Sequence, residues 1–387
     1  MRIAYVYDAV HPWETGGVQK RVWELARRLA DDHDVHWYGL HYWDGPSTIE
    51  REGVTLHGVM DATELYVDGR RSIPEAVRFS ARLAAPLLKR SFDVIDCQEF
   101  PYFPAFTAKA GSVLRDATLA VTWHEVWTSY WYEYLGWRGA FGDAVERVVA
   151  RVPDVHLAVS ERTRRDAADI GVADAELVPN GVSLAEIEAV PPADEPVDLL
   201  FTGRFIPEKH PELVVRAVDR LRETGRDIRC VMVGDGPERE TVASLVSELG
   251  LAEHVSTPGV IEDYEDVLGL MKAADVFVLP SEREGFGITV LEALACGTPV
   301  VTASHPRNAA RELVVPGETG AVCALSAGSL AAGVRRARTG ADPSACVETA
   351  RQYEWDRIAD QVESLYRSAT TDGRDARHRR RQSLAVE

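Results

Sequence analysis

The stretch PSEREGFGITVLEALACGTPVV, residues 280–301, decides how this chain is read. Glu284 and Glu292 stand eight positions apart around a Gly285-Phe286-Gly287 turn, and an apolar helical stripe follows. Residues 276–279 read as an apolar strand just before it. In open α/β sheets, ligands bind beyond the carboxyl ends of strands. A helix N-terminus with flanking glycines offers unbonded N–H groups and positive potential to an anion. The glutamates would not sit on that anion, so they call for hydroxyl groups on either side of it.

A second strand end supplies the cations. Residues 197–201 form an apolar strand, and Thr202-Gly203-Arg204-Phe205-Ile206-Pro207-Glu208-Lys209 follows it. Glycine allows a sharp turn, arginine bridges two phosphate oxygens and lysine adds a point charge. Two cations and a helix N-terminus make a pyrophosphate site. Glu292, about two turns into its helix, is placed for the hydroxyls of a ribose, and Glu284 for those of a sugar beyond the phosphates. A nucleotide diphospho-sugar has these parts in this order. Each element alone has a plainer meaning: a solvated loop, a surface glutamate, a simple turn. Their joint position after strands of one sheet favours the site.

The pattern around these loops is strand and helix in alternation. The first half reads as a strand at 3–7, a helix at 18–30, a strand at 35–38 and short apolar runs at 94–96, 119–122 and 155–159. The second half reads as helices at 211–223, 239–249 and 289–295, with strands at 229–233, 276–279 and 299–302. This predicts parallel sheets with helices on both faces. Pro191-Pro192-Ala193-Asp194-Glu195-Pro196 reads as a linker between two domains, as a chain of 387 residues leads one to expect. The Arg-rich residues 374–387 read as a solvated tail.

A net charge of −18 argues against a nucleic-acid partner. Arginine in excess of lysine, with many Asp and Glu, suits a high-salt cytoplasm or a GC-rich genome; the first is favoured. No apolar run is long enough to span a membrane, and no secretory signal is visible at the N-terminus. Five scattered cysteines without a Cys-x-x-Cys read as buried thiols in a reducing cytosol.

Taken together, Gly203-Arg204 with Lys209, the Glu284–Glu292 frame, Pro179-Asn180-Gly181-Val182 and Tyr353-Glu354-Trp355-Asp356 resemble the retaining glycosyltransferases of family four. The resemblance covers nearly the whole chain, and residues 273–301 are its most specific part. It implies an α/β GT-B fold: two Rossmann-like, doubly wound domains facing across a cleft. Residues 1–190 would be the acceptor domain and 196–352 the nucleotide-sugar donor domain. Residues 353–370 would form a helix crossing back to the first domain, and 371–387 a polar tail. Arg204 and Lys209 would bind the donor pyrophosphate, Glu292 the ribose and Glu284 the transferred sugar. Gly203, Gly285, Phe286, Gly287, Ile288 and Thr289 would bring backbone close to phosphate and sugar, with Val260 and Ile261 near the base. One departure is visible. Many members carry Gly-Gly before a Glu-Leu-Val stretch, whereas this chain reads His305-Pro306-Arg307-Asn308-Ala309-Ala310-Arg311-Glu312.

In the first half, Gly16 and Gly17 stand between a strand and a helix, and the resemblance implies close approach to the donor or the acceptor. His124 follows the strand at 119–122; the resemblance implies contact with the donor sugar, and Glu125 stands where Asp is more usual. Arg204, Lys209, Glu284 and His124 are thus the expected catalytic set. Trp123, His124, Trp127 and Tyr130 are expected on the acceptor side, within a cluster that includes Trp131, Tyr132, Tyr134 and Trp137. A double displacement needs a carboxylate nucleophile, and Glu125 is the one residue left open for it. The resemblance implies front-face attack instead, with no metal or other cofactor. Asp32-His33-Asp34, the one Asp-x-Asp, reads as a turn.

Ser72-Ile73-Pro74-Glu75 is a capping box. The 71–90 helix after it carries Arg71, Arg78, Arg82 and Lys89, a basic stripe suited either to an ordinary amphipathic helix or to anionic lipid at the inner face of the cell membrane. The leading reading is a cytoplasmic, peripheral hexosyltransferase that uses a UDP- or GDP-sugar and a sugar or lipid-linked acceptor. A non-catalytic nucleotide-sugar-binding subunit on the same fold, and a phosphorylase, are the other readings.

Overall fold

The computed structural model describes residues 1–67, 70–223, 225 and 227–384. The chain forms two compact units: Met1–Pro179 together with Trp355 onward, and Asn180–Glu354.

The first unit is built on an eight-stranded sheet. At its centre Arg2–Val6 lies between Asp34–His41 and Val94–Gln98, parallel to both. Thr118–Trp123, Val155–Ala158 and Ala175–Leu177 extend the sheet on one side. Val54–Asp61 and the antiparallel edge strand Thr48–Arg51 extend it on the other. The central strands are buried almost throughout, as parallel strands must be when helices cover both faces. Helix Gly17–Leu29 covers one face with Val22, Leu25, Ala26 and Leu29.

The second unit has six parallel strands in the order Val255–Gly259, Cys230–Val233, Val197–Thr202, Ala274–Leu279, Val300–Ala303 and Gly320–Cys323. Chain order reverses between Val197–Thr202 and Ala274–Leu279. In the first unit it reverses between Arg2–Val6 and Val94–Gln98. Such switch points open a crevice at the carboxyl ends of the strands. Residues 203–209 and 280–287 both emerge at the second unit's switch point.

Several elements differ from the expected pattern. Thr48–Arg51, Val54–Asp61, Ala175–Leu177, Val255–Gly259 and Gly320–Cys323 were not anticipated. All but the internal strand Val54–Asp61 are edge strands, and Val255–Gly259 contains Pro258. The 191–196 stretch lies within the second unit, where the Ala193 amide donates to the Gly269 carbonyl at 2.9 Å. A proline-rich turn can be packed as readily as it can link. The chain passes between units at Pro179 and again at Glu354. Within the second unit these two places are tied: Val182 N donates to Tyr353 O at 2.8 Å, and Leu184 N to Glu354 Oε1 at 3.0 Å. Trp355–Leu384 is one helix, so residues 371–384, expected as a tail, continue it, and 385–387 lie outside the described residues. Asp32 and His33 form a turn, and His33 is bound to Glu363 of that helix at 2.8 Å. All five cysteines are free thiols.

Two histidines are folded into the first sheet in the neutral form. His57 lies against His36 and Tyr38, and burial lowers its pKa to about 4. His156 accepts the Trp123 indole N–H on Nδ1 at 3.1 Å, and burial lowers its pKa to about 4. A lowered folded-state pKa means that the unfolded chain binds protons first as pH falls below about 6.5, so stability is lost between there and pH 4. The melting temperature is expected to fall by several degrees over that window. His156→Gln, which keeps an acceptor for Trp123 but cannot take a proton, is expected to flatten the slope, as read by thermal unfolding across pH.

Candidate active site

At the second unit's switch point the two loops meet through opposite charges. Gly203 has φ 153°, and a Cβ there would stand 3.2 Å from Lys209 Cδ. The absent side chain is the space in which the lysine stem lies. A short 3-10 turn, Pro207–Lys209, ends at left-handed His210 and directs the ammonium to Glu284 Oε1 at 2.6 Å. Ser281 Oγ donates to the same oxygen at 2.8 Å. Lys209 and Glu284, expected on different parts of a ligand, are therefore paired with each other. An ammonium has three N–H bonds, so one bond to Glu284 leaves donors for anionic oxygens beside the carboxylate. Arg204 is exposed, and among the described residues its guanidinium has no partner.

Main chain and charge brace the loops. Glu282 N donates to Glu208 O at 2.7 Å. The Glu282 carboxylate takes hydrogen bonds from Arg307 and, at 3.4 Å, from His210 Nε2. Burial alone would raise this carboxyl; the bond from Arg307 and that from His210 outweigh it and hold it below the usual range.

Helix Ile288–Ala295 begins at Gly287 with no side-chain cap; the Val290 amide is taken by the Gly287 carbonyl at 3.0 Å, and the Ile288 and Thr289 amides are open to an anion. Glu292 is buried in this helix and accepts the Tyr264 hydroxyl on Oε1 at 2.6 Å. Tyr264 escaped the sequence reading; an aromatic residue shortly after Val260 and Ile261 was its only signal. Val260 is exposed and Ile261 half-buried, just beyond the strand Val255–Gly259. Phe286 packs edge-on against Tyr353 and is buried. Thr289 and Gly285 lie in the same loop-to-helix segment.

In the first unit Gly16 is extended, with φ 171°, and Gly17 opens its helix; both are exposed. Backbone conformation does not demand glycine at Gly16; what it contributes is a bare helix entrance. His124 stands at the carboxyl end of Thr118–Trp123, its Nε2 2.7 Å from Gln98 Oε1. Burial holds its pKa well below the ordinary value, so the ring is neutral. Glu99 beside it is buried, accepts the Glu125 amide at 3.2 Å and is pushed up to about 8 by desolvation. Glu125 is ion-paired with Arg162 at 3.2 Å, which makes it a poor nucleophile. Gln98 and Glu99 were missed, although the strand-end rule that found His124 applies equally to them.

Two expectations, those for Trp123 and Arg71, need correction. Trp123 is fully buried with its N–H on His156, so it packs the sheet core and cannot face an acceptor. Tyr132, on the outer face of the short helix Tyr130–Leu135, and Trp137, on the following 3-10 turn Gly136–Arg138, are 49% and 82% exposed. Arg71 precedes the helix Ile73–Lys89 and is turned inward onto Asp8, so it leaves the basic stripe. Trp127 and Tyr130 remain half-buried, and Trp127 stacks on Phe100 with centroids 5.2 Å apart. A mostly apolar cavity of about 270 Å³ opens nearby, lined among others by Ile73, Phe100, Tyr102, Trp131, Phe141 and Val145.

The comparisons with known proteins meet this geometry. Residues 15–186 match the model "Glycosyltransferase Family 4", and residues 184–368 match "Glycosyl transferases group 1". The chain belongs to the family-four glycosyltransferases of GT-B fold. It is 29% identical to the phosphatidyl-myo-inositol mannosyltransferase of Mycobacterium leprae over 76% of this chain and 78% of that one. It is also 29% identical to the glycogen synthase of Mycobacterium tuberculosis, over 58% of this chain and 57% of that one, under two thirds of the relative's length. In fold it is similar to the sucrose-phosphate synthase of Thermosynechococcus elongatus, with TM-score 0.79 and 23% identity over 96% of this chain and 99% of that one. Anabaena HepE, solved with UDP-glucose, is similar at TM-score 0.74 and 17% identity over 95% of this chain and all of that one.

Within the second unit, the departing 305–312 loop is fastened to the Glu284 turn. Glu284 N donates to Arg307 O at 3.0 Å, and Ala309 N to Glu284 O at 2.9 Å. Asn308 is buried and holds Thr302 and Ala303 through Nδ2. Ala310 lies so close to Gly287 that a Cβ on the glycine would stand 2.4 Å from the alanine methyl, and Gly287 has φ 95°. Gly287→Ala is therefore expected to cost about 2–4 kcal/mol of stability by denaturant unfolding, the sum of left-handed strain and a core clash. Adding Ala310→Gly should recover the clash and not the strain, and so only part of the loss.

Proposed function

We propose that this protein transfers a hexose from a UDP- or GDP-linked sugar to a hydroxyl of a sugar or lipid-linked acceptor, with retention and without a metal ion. The observation that carries the reading is the second unit's switch point. There the Lys209 ammonium is bound to Glu284, the N-terminus of Ile288–Ala295 carries no side-chain cap, Arg204 stands exposed on the loop that bears Lys209, and Glu292 lies in the helix itself. These are a dianion's partners flanked by acceptors for hydroxyls. The UDP-glucose held by HepE and the activities for which the mycobacterial relatives are named support a nucleotide sugar as donor.

In this mechanism the bond from the sugar's anomeric carbon to the β-phosphate oxygen breaks. The acceptor oxygen bonds that carbon from the same face, and its proton passes to the departing phosphate oxygen. Arg204, Lys209 and the helix amides hold the charge that develops there. Glu292 holds the ribose and Glu284 the sugar hydroxyls. The ion pair between Glu125 and Arg162 supports front-face attack over a glutamyl intermediate. His124 is taken as a group that touches the transferred sugar. The cavity beside Phe100 supports an acceptor with an apolar portion.

We place the reaction in the cytoplasm at an anionic membrane face. No described helix is long and apolar enough to cross a membrane. Ile73 and Val77 are exposed on the helix Ile73–Lys89 beside exposed Arg78, Arg82 and Lys89, a surface suited to shallow contact.

Arg204→Ala and Lys209→Ala should each lower donor turnover about 100-fold or more, measured with EDTA present. Near-normal turnover in both variants, or activity that needs a divalent ion, would overturn the mechanism. Slow donor hydrolysis by the wild type separates an enzyme from a binding subunit. For the membrane contact, co-sedimentation with anionic vesicles is expected at low salt and should be lost in Arg78→Glu/Arg82→Glu. Absence of pelleting at any salt concentration sinks that part.

A further inference from the structure

Beneath His124 a chain of buried hydrogen bonds runs to the last helix. Tyr366, on Trp355–Leu384 and 1% exposed, donates its hydroxyl to Asp96 Oδ2 at 2.5 Å. Thr122 Oγ1 donates to Asp96 Oδ1 at 3.1 Å, and Gln98 Nε2 donates to the same oxygen at 3.0 Å. Gln98 Oε1 then faces His124 Nε2 at 2.7 Å. Asp96, Gln98 and Thr122 are each no more than 2% exposed.

The direction of every bond follows from the carboxylate. Ionised Asp96 only accepts, so it selects the amino end of the Gln98 amide and turns the carbonyl end to His124. A carbonyl oxygen also only accepts, so His124 Nε2 must carry the ring proton. The ring is neutral and has one proton, which leaves Nδ1 as a bare lone pair. An amide orientation and a histidine tautomer are ordinarily open to assignment; here the network determines both.

We propose that Tyr366, Asp96 and Gln98 are positioning residues that lock His124 as the Nε2–H tautomer and present its Nδ1 lone pair to a hydroxyl of the transferred sugar. The sugar contact rests on the reading given above; the tautomer does not. A helix that follows the donor domain in sequence thereby helps to orient a residue of the first domain. Second-layer hydrogen bonds of this kind fix ring orientation where a histidine must act on one nitrogen.

The test has two readouts. The first is the ¹⁵N NMR spectrum of His124 in the unliganded full chain, which needs no activity. Wild type should show Nε2 protonated and Nδ1 bare. Gln98→Leu should give a mixture of tautomers, and Asp96→Asn and Tyr366→Phe a partial one. Gln98→Glu should favour the doubly protonated ring and raise its titration point. The second readout is steady-state kinetics in variants that keep cooperative unfolding. Tyr366→Phe is expected to lower kcat about tenfold with donor KM unchanged. Gln98→Glu is expected to move the acid limb of the kcat profile to higher pH. Unchanged tautomer and unchanged kcat in both Tyr366→Phe and Asp96→Asn overturn the proposal. If His124→Ala keeps full kcat while Arg204→Ala is inactive, the sugar contact fails, and the spectrum still decides the lock.

Discussion

The attraction between the Lys209 ammonium and the Glu284 carboxylate is the constraint around which the donor-side geometry is arranged. The two side chains are 16% and 15% exposed and 2.6 Å apart. A pair so far out of bulk water feels a lower effective dielectric than one on the surface, so its attraction is correspondingly stronger. Removing either partner would leave the other charge partly buried and uncompensated. The pair holds in one place two loops that leave different strands. Gly203 clears the path for the lysine stem, the bond between Glu282 and Glu208 backbones closes the loops, and Gly287 turns the chain into the helix. In this arrangement the carboxylate keeps a cation poised, with donors to spare, where a second anion can take up part of its charge.

The first domain meets its own requirement differently. Its switch point is lined by groups withdrawn from water, and their charge is suppressed or shared. His124 is neutral, Glu99 is pushed up to about 8, and Asp96, raised by desolvation to about 6, is supported by three donors. A buried network of this kind is costly when partly satisfied and rigid when complete. One side of the proposed chemistry therefore rests on fixed charge and the other on fixed hydrogen-bond direction. The first suits a leaving dianion, and the second suits a neutral sugar hydroxyl.

The local departures from the family pattern are compensated within the fold. Ala310 is accommodated because Gly287 gives up its own side-chain space. Asn308 secures the loop from below, and Arg307 neutralises Glu282. Backbone bonds from Glu284 N to Arg307 O and from Ala309 N to Glu284 O tie this loop to the Glu284 turn. Arg71 is the converse case. It continued a basic stripe by spacing alone, yet it precedes the helix Ile73–Lys89 and is ion-paired with buried Asp8. Spacing along a helix predicts a face only for residues that belong to the helix.

Strand-and-helix alternation, the two switch-point loops and the glutamate frame were all legible in the chain, because each is a local pattern of burial, turn chemistry and charge. The same rule applied to strand ends found His124. It would have found Gln98 and Glu99 had it been applied to Val94–Gln98. Partnership was not legible. No spacing announces that Lys209 meets Glu284, that Tyr264 reaches Glu292, that Trp123 is turned to His156, or that Tyr366 reaches back to Asp96. These pairings join residues distant in sequence through sheet order and helix docking. Sequence by itself determined which residue types stand at the strand ends. Tertiary structure alone decided which of them share a hydrogen bond, because that depends on distances set by the packing of the whole domain.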